Sequence, residues 1–175
     1  QARKNNIDYD TYEKVKQIKT GFSWNYKKSE NSHVDSYFFY QNRDFLSKLP
    51  FNYGGIITLD RNYYGLGTKY TKNSSFENRK RTLVLGIDHL NQSDDRRRYK
   101  NEFGDKGEIT LDQKEQFKTT GVYLLNQASY SSGLLLRYGI RYDINNIGIH
   151  SDFVKLDKLN PSFGLSYSVS SRDNV

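Results

Sequence analysis

The chain has 175 residues, no cysteine and a formal net charge of +7, from 27 Lys and Arg against 20 Asp and Glu. Without cysteine, disulfide scaffolds, thiolate metal sites and cysteine nucleophiles are excluded. Only 35% of the residues are hydrophobic, yet 15% are aromatic. That mixture argues against disorder and suits a sheet with one wet face and one lipid face.

No stretch approaches the roughly 18 consecutive apolar residues of a membrane-spanning helix. This says nothing against barrel strands, whose alternating pattern escapes ordinary hydropathy scans. The opening Gln1-Ala2-Arg3-Lys4 is neither an initiator start nor an apolar export segment, so a mature or internal piece is expected.

Period-two alternation runs along the chain and points to strands. Ile18, Thr20, Phe22, Trp24 and Tyr26 alternate with Lys19, Gly21, Ser23 and Asn25. Residues 34–41 follow less cleanly. Tyr64, Leu66, Thr68 and Tyr70 alternate with Gly65, Gly67 and Lys69, and Leu83, Leu85, Ile87 and His89 with Val84, Gly86 and Asp88. Residues 117–128 are strand-like. The clearest case sets Leu134, Leu136, Tyr138, Ile140 and Tyr142 against Leu135, Arg137, Gly139, Arg141 and Asp143. Two arginines and an aspartate opposite five large apolar groups require that second face to be wet. Phe163, Leu165, Tyr167 and Val169, interleaved with glycine and serine, complete seven strands.

Connections between these strands alternate in length: short at 28–32, long at 43–60, short at 73–79, long at 93–113, short at 129–133 and long at 144–158. Outer-membrane barrels pair tight periplasmic turns with longer extracellular loops. Val34, Thr82 and Leu134 then begin strands that run outward. Trp24, Tyr26, Tyr64, Tyr70, Tyr142 and Tyr167 fit an aromatic belt at the headgroups, or ordinary cross-strand pairs.

The expected fold class is all-β: a segment of an antiparallel up-and-down transmembrane β-barrel. Seven strands do not close a bacterial barrel of this kind, whose strand number is even and at least about eight. Residues 171–175 read as a turn rather than a closing strand, so residues 1–175 are expected to form a partial barrel domain.

A resemblance narrows this further. The stretch 91–99, with Asp94-Asp95-Arg96-Arg97-Arg98, then Gly107-Glu108-Ile109-Thr110-Leu111, Gly121-Val122-Tyr123, residues 136–143 and Leu159-Asn160-Pro161-Ser162-Phe163 resemble the middle of the barrel in TonB-dependent outer-membrane receptors. The likeness is strongest to their ferric-siderophore branch and covers the chain from about Phe22 onward. Upstream, Arg43-Asp44-Phe45 and Leu59-Asp60-Arg61 look similar. The resemblance implies a bacterial outer-membrane transporter, not an enzyme, built as a barrel of about 22 strands. It implies a plug domain, missing from this stretch, through which periplasmic TonB supplies energy. A ferric siderophore or similar scarce small ligand, outer-membrane lipid and lipopolysaccharide are the implied partners, with no resident cofactor.

Arg96, Arg97 and Arg98 then stand in a long, outward loop, where they attract a carboxylate-rich or catecholate iron chelate. A solvated charge run or contact with lipopolysaccharide phosphates are the competing roles. Lys69, Asp88, Arg137, Arg141 and Asp143 face the lumen on this phase. They line a ligand path or bond the plug. His33, His89 and His150 share no metal-ligand spacing, and no catalytic motif stands out. The scattered cations form no stripe suited to nucleic acid. A soluble or surface β-sheet module that binds carbohydrate or protein through its aromatic face is the alternative.

Overall fold

The computed structural model describes residues 2–169, which places the turn expected at 171–175 outside the described residues. A short helix, α1 (Ala2–Asp8), precedes seven strands: β1 (Tyr12–Ser29), β2 (Ser32–Lys48), β3 (Ile56–Phe76), β4 (Arg79–Glu102), β5 (Asp105–Tyr130), β6 (Leu134–Ile149) and β7 (Asp152–Tyr167). They form one antiparallel sheet in sequence order, each strand hydrogen-bonded to its neighbours in the chain. Such a meander needs only hairpin connections.

Register converts the alternation into two continuous faces. Across the sheet Tyr26, Val34, Tyr70, Leu85, Leu124, Ile140 and Pro161 stand in one row, and Trp24, Ser36, Thr68, Ile87, Val122, Tyr142 and Leu159 in the next. These side chains, with Phe22, Phe38, Leu66, Phe163 and Leu165, make an apolar band on one face. Leu85, Ile87, Phe22 and Phe163 stand 55%, 43%, 67% and 76% exposed. Ile56 and Ala128 are the only hydrophobic residues buried among those described. A water-soluble domain of this length encloses a core, and this sheet encloses none. The apolar face therefore needs a cover that this sheet does not itself supply, as the strands of a transmembrane barrel do.

The strands are much longer than the alternation suggested. The expected loops at 93–113 and 144–158 are mostly strand, closed by two-residue turns at 103–104 and 150–151. In the expected loop at 43–60 only residues 49–55 lie outside strands. The turn at 103–104 places Phe103 and Gly104 at φ 53° and 102°, the left-handed pair that a tight hairpin requires. Asymmetry survives in another form. The apolar band lies close to the turns at 30–31, 77–78 and 131–133, while the opposite ends run far past it. β4 turns polar on the band face at Asn91 and continues to Glu102. Strand pairing beyond lipid needs no alternation, because both faces are then wet.

At the far end, Tyr9 and Asp10, just after α1, and the connection at 49–55 meet the β4–β5 turn. Asn101 is fully buried there. Its amide donates to the carbonyls of Tyr9 and Leu49, both at 3.0 Å, and its side-chain oxygen accepts the Gly104 N–H at 2.7 Å. Its backbone N–H reaches the Asn52 carbonyl at 2.7 Å. Tyr9 stacks on Phe103 with centroids 5.5 Å apart. Lys48 binds Asp10 at 2.7 Å, a hydrogen bond that raises the lysine above its usual range. One carboxamide thus ties three segments distant in sequence. Replacing it, as Asn101→Ala, strands the Gly104 donor and two carbonyls, and should loosen this end by about 2–4 kcal/mol. Amide exchange at Gly104 is the measurement; protection equal to that of the parent residue would refute the clasp.

Candidate lumen face

The face opposite the apolar band is polar, and its charges are linked across strands. Asp88 on β4 and Asp143 on β6 flank Gly121 of β5 in register. Arg141 folds over that glycine and joins the two carboxylates, with NH1 3.1 Å from Asp88 and Nε 2.8 Å from Asp143. A Cβ at Gly121 would collide with the guanidinium, so the small residue makes room for the bridge. Tyr37 donates its hydroxyl to Asp88 at 3.2 Å, Asn160 donates to Asp143 at 3.2 Å, and the guanidinium lies 5.4 Å from the Tyr123 ring centroid. Five strands contribute to this network.

Toward the turn end Lys69 approaches Asp35 at 3.6 Å, and His33 lies 3.4 Å from the same carboxylate. Arg137 donates to Gln127 at 2.8 Å. A groove of about 350 Å³ runs along this face past Asn25, Asp35, Tyr37, Lys69, Asp88 and Tyr123. The Tyr123 ring covers Gly86, where a Cβ would meet it. Lys69, Asp88, Arg137, Arg141 and Asp143 thus share one face, and Asp88, Arg141 and Asp143 are in contact. Sequence reasoning missed Tyr37, Tyr123, Gly121 and Asn160. The glycines at 86 and 121, small residues at phases that fall on the charged face, were the available signal.

Arg96, Arg97 and Arg98 stand on β4, not in a loop, because 93–102 pairs with β5. A strand sends neighbours to opposite faces, so the three do not act as a cluster. Arg97 lies on the band face, where its Nε bonds Asp112 at 3.1 Å, a contact that raises its already high pKa. Arg96 faces the other way and meets Glu115 at 3.5 Å. Arg98 shares that inner face; its stem passes near Gly54. At the same far end Lys100 binds Glu108 at 2.6 Å, and the hydrogen bond holds the Glu108 carboxyl below its usual value.

His89 lies on the band face beside Thr120 at 2.8 Å, and His150 sits in the β6–β7 turn at φ 55°. Among the described residues no three His, Asp or Glu side chains form a metal-sized group.

The sequence pattern of the TonB dependent receptor-like β-barrel family matches residues 1–174. The chain belongs to that family. Its members are receptors of the bacterial outer membrane rather than enzymes, which places the apolar band in that bilayer. Three solved structures share the fold. The ferric preacinetobactin receptor BauA of Acinetobacter baumannii matches at TM-score 0.75 and 11% identity, over 91% of this chain and 29% of its own. The ferric citrate transporter FecA, unliganded, matches at 0.71 and 12%, over 92% of this chain and 26% of its own. The siderophore receptor PiuA of A. baumannii gives 0.60 and 14%, over 90% and 30%. The chain therefore spans less than a third of each of these proteins.

Within the TonB-dependent receptor barrel the strand ends that run far past the apolar band correspond to the extracellular side, and the ends that turn close to it to the periplasm. The turns at 30–31, 77–78 and 131–133 then lie at the periplasmic surface. Asn101 and its clasp lie outside the cell.

Proposed function

We propose that this chain is part of the wall of a receptor that imports ferric siderophores, or chemically similar scarce ligands, across the outer membrane. The observation that carries the reading is the inner network in which Arg141 bridges Asp88 and Asp143 opposite an apolar outer face. A wall with charged, hydrogen-bonding groups on its inner side and lipid-facing groups on its outer side suits passage of a hydrophilic cargo. Family membership and the three iron-related structural relatives support the cargo class.

In this reading a plug supplied by the rest of the receptor contacts Lys69, Asp88, Arg137, Arg141 and Asp143, and periplasmic TonB acts on that plug. Lys118 and Lys155, on the outer face beyond the apolar band, support contact with lipopolysaccharide phosphates, since neither has an ion-pair partner within the described sheet. Uptake of radiolabelled iron by cells that express the full-length receptor under iron limitation tests the proposal. Deleting the receptor should abolish uptake of at least one ferric chelate. Unchanged uptake of a panel of catecholate, hydroxamate and carboxylate chelates, with no induction by iron limitation, would overturn it.

A further inference from the structure

Beyond the apolar band, the inner face carries a charged row in register across four strands: Arg43 on β2, Arg61 on β3, Asp94 on β4 and Glu115 on β5. Asp94 is 1% exposed and fully occupied. Arg61 grips it through Nε at 2.8 Å and NH2 at 2.6 Å, and Gln92 donates to it at 3.1 Å. Glu115 is engaged by Arg96 at 3.5 Å. Both carboxylates of the row are thus committed.

Arg43 has none. It stands directly opposite another arginine, and its Nε is buried with no hydrogen-bond acceptor. Its guanidinium lies 5.8 Å from the Phe45 ring centroid, so the ring helps to hold the group against the wall. Two like charges opposed in a sheet disfavour each other, and an unmet buried donor adds to the cost. Paired guanidinium groups become favourable when an oxyanion bridges them; Arg43 offers its whole fork of donors, and Arg61, with Nε and NH2 on Asp94, offers its NH1 edge.

We propose that Arg43 and Arg61 form an oxyanion subsite on the extracellular part of the inner wall, which takes a carboxylate group. The inference rests on the reading of this face as a receptor lumen. The carboxylate comes either from an incoming iron chelate or from a side chain of the segment that fills the barrel. The two sources use the same chemistry.

The test uses the full-length receptor in lipid nanodiscs with 15N-labelled arginine. The Arg43 Nε signal is assigned by Arg43→Lys, and the Arg61 Nε signal, bonded to Asp94, marks where a carboxylate-bonded guanidinium resonates. Citrate is the probe, with inorganic phosphate and chloride alongside. A saturable shift of Arg43 Nε on citrate addition supports the subsite with an incoming ligand. A signal that matches Arg61 before any addition, and does not move with citrate, supports the subsite with a resident carboxylate. In the first case Arg43→Lys should weaken citrate binding about tenfold, through loss of the two-pronged contact. An unbonded signal that ignores citrate and phosphate, or one that drifts without saturation and equally with chloride, overturns the proposal. Because the readout is a bound nitrogen and not iron uptake, failure of the transport reading and failure of the subsite give different results.

Discussion

Arg61→Leu is expected to destabilise the β3–β4–β5 region by about 3–5 kcal/mol, the cost of leaving a buried charge without its partner. Asp94 is 1% exposed, and Arg61 supplies two of its three side-chain hydrogen bonds. Arg61 itself remains 27% exposed, so the energetic weight lies on the aspartate that is left behind. The loss should concentrate beyond the lipid band, as faster amide exchange along β4 from about Asn91 outward. Exchange protection in the full-length receptor reads it directly. The double variant Arg61→Leu/Asp94→Leu should recover most of the stability, because it removes the stranded carboxylate as well. If the double variant is as unstable as the single, the loss comes from packing and the buried-charge account is wrong.

The second large effect concerns lipid. Ile87 stands in the apolar band between Thr68 and Val122. Ile87→Arg should cost about 2–4 kcal/mol, as a cation on the lipid face near the bilayer centre does. Ser93 shares the same face of the same strand but lies past the polar transition at Asn91, so Ser93→Arg should cost only about 0–1 kcal/mol. Denaturant titrations of the full-length receptor folded into phospholipid vesicles measure both. Equal costs at the two positions would mean that the band does not contact lipid.

These expectations rest on features with different origins. The apolar rows were legible in the sequence, because lipid imposes polarity on alternate residues wherever a strand crosses it. Leu85 and Ile87 against Gly86 and Asp88, or Tyr138 and Ile140 against Arg137 and Arg141, declare their faces without any partner strand. That Lys69, Asp88, Arg137, Arg141 and Asp143 share the opposite face was legible for the same reason. Their network was not, since nothing local in residues 136–143 specifies that Arg141 reaches across Gly121 to a carboxylate more than fifty residues earlier in the chain.

The arginine run at 96–98 shows where local reading misled. With both faces in water, the extracellular parts of β4 and β5 carry polar residues at consecutive positions, and a polar run resembles a loop. Backbone pairing between the two strands then divides the run, sending Arg97 outward to Asp112 and Arg96 inward to Glu115. Arg43, placed by the sequence only within a family-like stretch, became a candidate binding residue once register set it opposite Arg61.

The sequence by itself determined the seven strands, the two faces of the sheet and the family, because alternation under lipid is a local property that each strand carries alone. The tertiary structure decided how far the strands extend, which charges meet and how Asn101 ties the extracellular end. Those depend on register and on contacts between segments remote in the chain, and neither is written in the neighbours of any one residue.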